Sequence, residues 1–173
     1  MINLIFCIDN NNLLGIERDN EFLMPWEGDN KEDLKRFKEL TQNNIVVMGY
    51  NTYKSIRCKP LPNRINVVIS KNHYNEISPF IQYKFKSIED FLNNFKLTDR
   101  QIFIIGGKSL YEKFFIIADN IYVTRIKEYK SIVKDTDKKI YLNGFEKTDL
   151  KEKGFELTSL HVSNKYVYES WNM

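Results

Sequence analysis

Two cysteines in 173 residues rule out a fold built on disulfides. Cys7 and Cys58 stand far apart and fit no CxxC or zinc-ligand spacing. Cys7 lies inside an apolar run and reads as a buried thiol in a reducing, cytoplasmic setting. The two histidines, His73 and His161, have no triad or metal partners in sequence, and G-x-S-x-G and HExxH are both absent. No metal site is expected. No apolar run approaches the ~20 residues of a membrane span. No charged n-region with a small-residue cleavage site marks a signal peptide. The net charge is only +3, with 26 basic and 23 acidic residues interspersed, so charge predicts neither a nucleic-acid surface nor a membrane surface. The exception is a lysine-leaning stretch, Lys127–Lys153, which acids interrupt. There is no Pro/Gly/Ser linker, no repeat and no break in composition, so residues 1–173 read as one domain.

Apolar material is plentiful: 42% of residues are hydrophobic and 14% aromatic, enough for a continuous core. Short Ile/Val-rich runs at Ile2–Ile8, Ile45–Met48, Ile65–Ile69, Ile102–Ile105 and Ile121–Ile126 read as buried strands. Helix-period segments lie at Asn30–Thr41, Tyr50–Ile56, Ser87–Phe95 and Lys108–Ile116. That alternation predicts an α/β domain with a mostly parallel central sheet flanked by helices. Gly154–His161 and Lys165–Ser170 alternate in polarity and predict an antiparallel hairpin at the sheet edge. Lys127–Glu152 has weak periodicity and receives no assignment.

Five places have the makings of chemistry. On a helix, Leu34, Phe37, Leu40 and Thr41 form one stripe, and Asp33 shares it. A carboxylate there is desolvated and can hold an aminopyrimidine-like edge by paired hydrogen bonds. It equally suits the positive first turn of the helix, with no chemistry at all. Met48-Gly49-Tyr50-Asn51-Thr52 and Ile105-Gly106-Gly107-Lys108 each run from strand through glycine to helix. Such corners let backbone approach a ligand and offer free amides, but neither matches G-x-G-x-x-G or Walker A. Arg64 follows the stiff Pro60-Leu61-Pro62-Asn63 turn and suits bidentate pairing with a carboxylate. Ser70 and Lys71 follow a strand end, where the lysine can meet a phosphate or remain solvated.

In order and spacing, these pieces resemble the dihydrofolate reductase family from Ile2 to about Tyr168. They are joined by Leu14-Gly15-Ile16, Met24-Pro25-Trp26, Ser55-Ile56 and Tyr122-Val123-Thr124. The resemblance implies a dihydrofolate-reductase-like fold and NADPH as cofactor. It implies hydride transfer to dihydrofolate, giving tetrahydrofolate for one-carbon metabolism and thymidylate and purine synthesis. Asp33 matches the active-site acid and Trp26 the tryptophan that orders water near the pterin. Ile5, Phe6 and Cys7 match the strand beside the pterin, and Thr124 a threonine linked to the acid. Leu34, Phe37, Ile56 and Leu61 match the wall around the benzoyl ring, and Arg64 the partner of the glutamate α-carboxylate. Gly15, Ile16 and Leu23 match a mobile loop over the nicotinamide. Gly49, Thr52, Ser70, Lys71, Ile105, Gly106, Gly107 and Tyr111 match positions along the cofactor. A monomer is usual in that family.

The departures are specific. Tyr50 stands where the family usually has Arg or Lys against the 2′-phosphate, with Lys71 as a compensating cation. Segments 17–22 and 27–30 are extended. The family's Gly-Asp-Thr is not intact, and Asp135-Thr136 is the nearest match. A reductase of the same fold for another pteridine or a ribosylaminopyrimidine is one alternative, against which Arg64 and Phe37 favour a folate tail. A binding module without turnover is another, against which stand Asp33, Trp26 and Gly106-Gly107 together.

Overall fold

A strand buried on both faces needs apolar residues at consecutive positions, and the first strand has them. The computed structural model, which describes residues 1–96 and 99–173, places it as β1 (Ile2–Asp9) at the centre of the sheet. The chain continues through β2 (Leu13–Arg18), β3 (Glu21–Leu23), α1 (Lys31–Thr41), β4 (Ile45–Gly49), α2 (Tyr50–Ser55), β5 (Ile65–Ile69) and β6 (Tyr83–Phe85). Then follow α3 (Ile88–Asn94), β7 (Ile102–Gly106), α4 (Lys108–Phe114), β8 (Asn120–Ile126), β9 (Lys138–Tyr141), α5 (Lys147–Glu152), β10 (Glu156–Val162) and β11 (Tyr166–Asn172).

Eight strands form one sheet in the order β10-β11-β8-β1-β7-β4-β5-β6. From β8 to β6 the neighbours are parallel. The terminal hairpin joins antiparallel to β8 through β11, as the alternation predicts. The period-2 side-chain pattern divides the core. Leu4, Phe6, Ile8, Ile45 and Val47 pack with α3, α4 and α5 through Phe91, Leu110, Phe114 and Leu150. Ile5, Val46 and Met48 pack on the opposite face with Tyr53, Phe37 and Leu40 of α2 and α1. Helices therefore cover both faces. The helix expected over Lys108–Ile116 ends at Phe114, and a 3-10 turn carries Phe115–Ile117.

The strands of a second sheet escape the apolar-run criterion because their apolar stretches are short and broken by Gly15 or by charged residues. β3, β2 and β9 form this antiparallel sheet. The segment expected to be a mobile loop is thus a hairpin. Its turn residues Asp19 and Asn20 have φ of 51° and 61°, the two left-handed positions of a tight hairpin. Arg18 clamps this hairpin to the following layer. Its Nε and Nη2 each donate to Asp137 at 2.7 Å, and Nη2 also donates to the Ile132 carbonyl at 2.9 Å. Asp137, not the exposed Asp135-Thr136 pair, is therefore the anchoring acid.

Arg18 and the Lys134 amide hold the Asp137 carboxyl down at about 2, against an ordinary 3.8. A depressed acid stabilises above its ordinary pKa, and that contribution is lost as pH falls through the depressed value. The β2 amides should be less protected from hydrogen exchange in Arg18→Met than in the wild type at pH 6. The wild type should converge on the variant as pH drops towards 2. Equal protection at pH 6 would contradict the clamp.

Candidate active site

The site begins where two parallel strands part. β1 pairs with β7 only over Ile2–Leu4, whereas its pairing with β8 runs on to Asp9. Beyond Leu4 a gap opens between Ile5-Phe6-Cys7 and Ile105-Gly106-Gly107. Inside it the Ile5 carbonyl accepts a hydrogen bond from Tyr111 Oη at 2.9 Å. The gap is one end of a cavity of about 530 Å³, which α1, α2 and the β2–β3 hairpin complete. Ligands of parallel α/β sheets gather at this carboxyl edge.

Helix α1 supplies the acid. Its inward face carries Asp33, Arg36, Phe37, Leu40 and Thr41, at the i, i+3, i+4 spacing of a helix. Asp33 is 8% exposed and lines the cavity. Burial pushes its carboxyl above the ordinary range, and hydrogen bonding from Thr124 and the Arg36 charge partly offset that rise. Cys7 lies opposite on β1, and burial pushes its thiol well up, so it stays neutral. Leu34 departs from the expected inward stripe: it is 49% exposed and borders the cavity at its mouth. A carboxylate framed this way can accept two parallel N–H donors from the edge of a flat heterocycle.

The far wall is the turn before β5. Asn66, fully buried, staples it. The Asn66 side chain accepts from the Leu61 amide at 2.8 Å and donates to the Leu61 and Arg64 carbonyls at 2.9 and 3.1 Å. That places Leu61 against the cavity beside Ile56 and Phe37. Arg64 lies outside the lining, folded under Phe37, whose ring is 6.0 Å from the guanidinium. It donates to the Pro62 carbonyl and to Thr41 Oγ1. It has no acid partner among the described residues, and burial lowers its pKa.

The glycine corners meet as the sequence suggests. A side chain on Gly106, whose φ is +130°, would meet Thr52 Oγ1 at 2.9 Å and Tyr111 Oη at 3.3 Å. Only glycine keeps this backbone open to the cavity. Ile105, Gly107, Thr52 and Tyr111 line it too. Gly49 lies behind them, with Gly106 and Gly107 backbone 3.8 Å from where its Cβ would stand, and does not reach the cavity. Ser70 and Lys71 follow β5 at the same sheet edge but outside the cavity, with Lys71 exposed. At Tyr50, the hydroxyl donates to Glu76 at 2.7 Å and the ring stacks on His73 at 4.2 Å.

The hairpin divides the residues expected around the cofactor. Ile16 is fully buried and Gly15 is covered by the Phe22 ring, so neither lines the cavity. Leu23 does, with Leu14, Phe22 and Met24. Trp26 is fully buried in a cluster with Cys7, Tyr166 and Tyr168 and does not line the cavity either. Its Nε1 has no partner among the described residues, nor does the buried Tyr168 Oη.

The family model described as dihydrofolate reductase matches residues 1–168. The chain belongs to the dihydrofolate reductase family. A bifunctional dihydrofolate reductase-thymidylate synthase of Paramecium tetraurelia is 41% identical over 107 residues, covering 60% of this chain but only 22% of that protein. The dihydrofolate reductase of Ureaplasma parvum serovar 3 is 37% identical over 131 residues, 75% of this chain and 77% of the relative. The solved dihydrofolate reductase of Enterococcus faecalis, complexed with NADP(H) and RAB-propyl, shares the fold. Its TM-score is 0.75 at 24% identity, over 99% of this chain and 95% of that one.

Within this reductase fold, sequence reasoning missed Arg36, which donates from Nη1 to Thr124 Oγ1 at 3.2 Å and lies 4.7 Å over the Tyr168 ring. The signal was present, since Arg36 stands three residues beyond Asp33 on the same helical face. Phe22 and Met24 were missed because a hairpin was not foreseen. The staple gives a test of how the wall is held. Asn66→Ala leaves a buried amide and carbonyls unsatisfied and should lower stability by about 1–3 kcal/mol in denaturant unfolding. An unchanged midpoint would mean that the turn holds itself.

Proposed function

We propose that this chain reduces 7,8-dihydrofolate to 5,6,7,8-tetrahydrofolate with NADPH, as an oxidoreductase acting on a CH–NH group. The observation that carries the reading is the pairing of a buried carboxylate, Asp33, with a buried arginine that has no acid partner among the described residues, Arg64, at the two ends of one apolar wall. Dihydrofolate has that polarity: a flat aminopyrimidine edge, an aromatic middle and a carboxylate tail. Asp33 takes the 2-amino group and N3, Phe37, Ile56 and Leu61 hold the ring in the middle, and Arg64 takes the α-carboxylate. An alternative pteridine without the tail leaves Arg64 unanswered.

The residues also suit the cofactor. Gly106, Gly107, Thr52 and Tyr111 leave backbone bare on the side of the cavity facing Ile5 and Cys7. Ser70 and Lys71 stand further along the same edge for the adenosine end. When bound, the reduced nicotinamide supplies the hydride. The N5=C6 bond of the substrate gains that hydride and one proton. Asp33 offsets the cation that forms as N5 takes the proton, and the low dielectric of its wall strengthens that effect. Thr124 fixes the carboxylate. Trp26 Nε1, buried and unpartnered, suits an ordered water on the proton's route. Leu23, Phe22 and Met24 exclude bulk water from above.

We place the protein in the cytoplasm, as one domain over 1–173 and a monomer. Among the described residues, no helix is long and apolar enough to cross a membrane.

Absorbance at the nicotinamide band should fall only when dihydrofolate is present, and methotrexate should stop it. Asp33→Asn should cut kcat by about 10²–10⁴-fold. Because burial raises the Asp33 carboxyl, its stabilising contribution is present below the ordinary carboxylate range and lost as pH rises through the raised value. Removing the charge should therefore leave Tm at pH 7 no lower than that of the wild type. An unchanged kcat in this variant would remove Asp33 from the reaction.

A further inference from the structure

Arg36 is a half-buried cation inside a site whose substrate edge needs an anion. Among the described residues, no acid oxygen lies within 4.0 Å of its guanidinium, Asp33 included. It is held by Thr124 Oγ1 at 3.2 Å and by the face of the Tyr168 ring at 4.7 Å. Both supports stand at one register position, because Tyr168 of β11 lies directly opposite Thr124 of β8. Asp33 stands one helical turn before Arg36, with both side chains facing the cavity. The arginine is thus near enough to act on the carboxylate through its field, yet leaves the carboxylate oxygens open to a ligand.

We propose that Arg36 is a positioning residue of the reductase site: it fixes Thr124 and holds Asp33 as a carboxylate when a heterocycle covers it. The inference rests on the function proposed above for the substrate, but not for the coupling itself.

The argument is one of compensation. A ligand over Asp33 removes its remaining water, which drives a carboxylate to take up a proton and lose its charge-assisted bonds to the heterocycle. The groups facing Asp33 are few. On α1 they are Glu32, exposed and of the wrong sign, and Arg36. On β1 there is Cys7, on α4 Tyr111, and on β11 Tyr166 and Tyr168; burial pushes all four upward, so they remain neutral near pH 7. Thr124 contributes a dipole only. Glu27 and Lys31 also line the cavity but are exposed, so Arg36 is the single half-buried positive charge acting on Asp33 among these groups, and its contact with Thr124 links the two side chains that steady the acid.

Carboxyl-labelled aspartate makes this measurable without turnover. The Asp33 carbon resonance is assigned by its loss in Asp33→Asn and titrated in the ligand-free enzyme. In Arg36→Gln its midpoint should rise by on the order of one pH unit, and Arg36→Lys should restore most of the difference. The pH profile of kcat/KM for dihydrofolate should move in the same direction. If Arg36→Gln titrates where the wild type does, the proposal is wrong, even if both variants lose thermal stability. If the midpoint moves while the enzyme proves inactive on dihydrofolate, the coupling stands and the proposed substrate falls.

Discussion

A carboxylate set in an apolar wall is costly in water-poor surroundings, and the site is arranged around that cost. Asp33 is lodged between the sheet and α1, next to a neutral thiol and rings that do not ionise near neutrality. Nothing in packing calls for an acid at this position, and an apolar residue would fill the space more cheaply. What the acid supplies is an acceptor for paired N–H donors and a fixed negative charge under a ring that becomes cationic. Thr124 and Arg36 soften the penalty, Thr124 by a hydrogen bond and Arg36 through its charge without occupying that acceptor.

The sheet makes room for this arrangement by interrupting its own ladder. Were β1 and β7 paired throughout, Ile5-Phe6-Cys7 would face a neighbour strand and no cavity would exist. Their separation after Leu4, with Tyr111 taking the Ile5 carbonyl, turns the centre of the core into the floor of a cleft. Gly106 keeps the opposite rim open, since a Cβ there would strike Thr52. The Asn66 staple and the Arg18–Asp137 clamp act at a distance, holding the turn and the hairpin that form the remaining walls.

Most of the central sheet was legible because fully buried strands need unbroken Ile/Val runs. The five such runs correspond to β1, β4, β5, β7 and β8. The small sheet was not, because Glu17, Arg18 and Glu21 carry charge into strands whose stability comes from a two-residue turn and an ion pair distant in sequence. At the site, Asp33 could be picked out by helical periodicity. Its partner Thr124, and the Tyr168 ring beneath Arg36, are brought to it only through strand pairing, and Thr124 was reached by family resemblance alone. Trp26 and Ile16, both fully buried, stand behind the cavity rather than in its lining. Arg36 lies on the foreseen face but outside the matched motif.

A crystal structure of the binary complex with folate tests the central claim most directly. The account predicts both Asp33 carboxylate oxygens hydrogen-bonded to the pterin edge, at N3 and the 2-amino group, with the tail carboxylate on Arg64. A ring bound elsewhere, with the Asp33 side chain turned into bulk solvent, would contradict it.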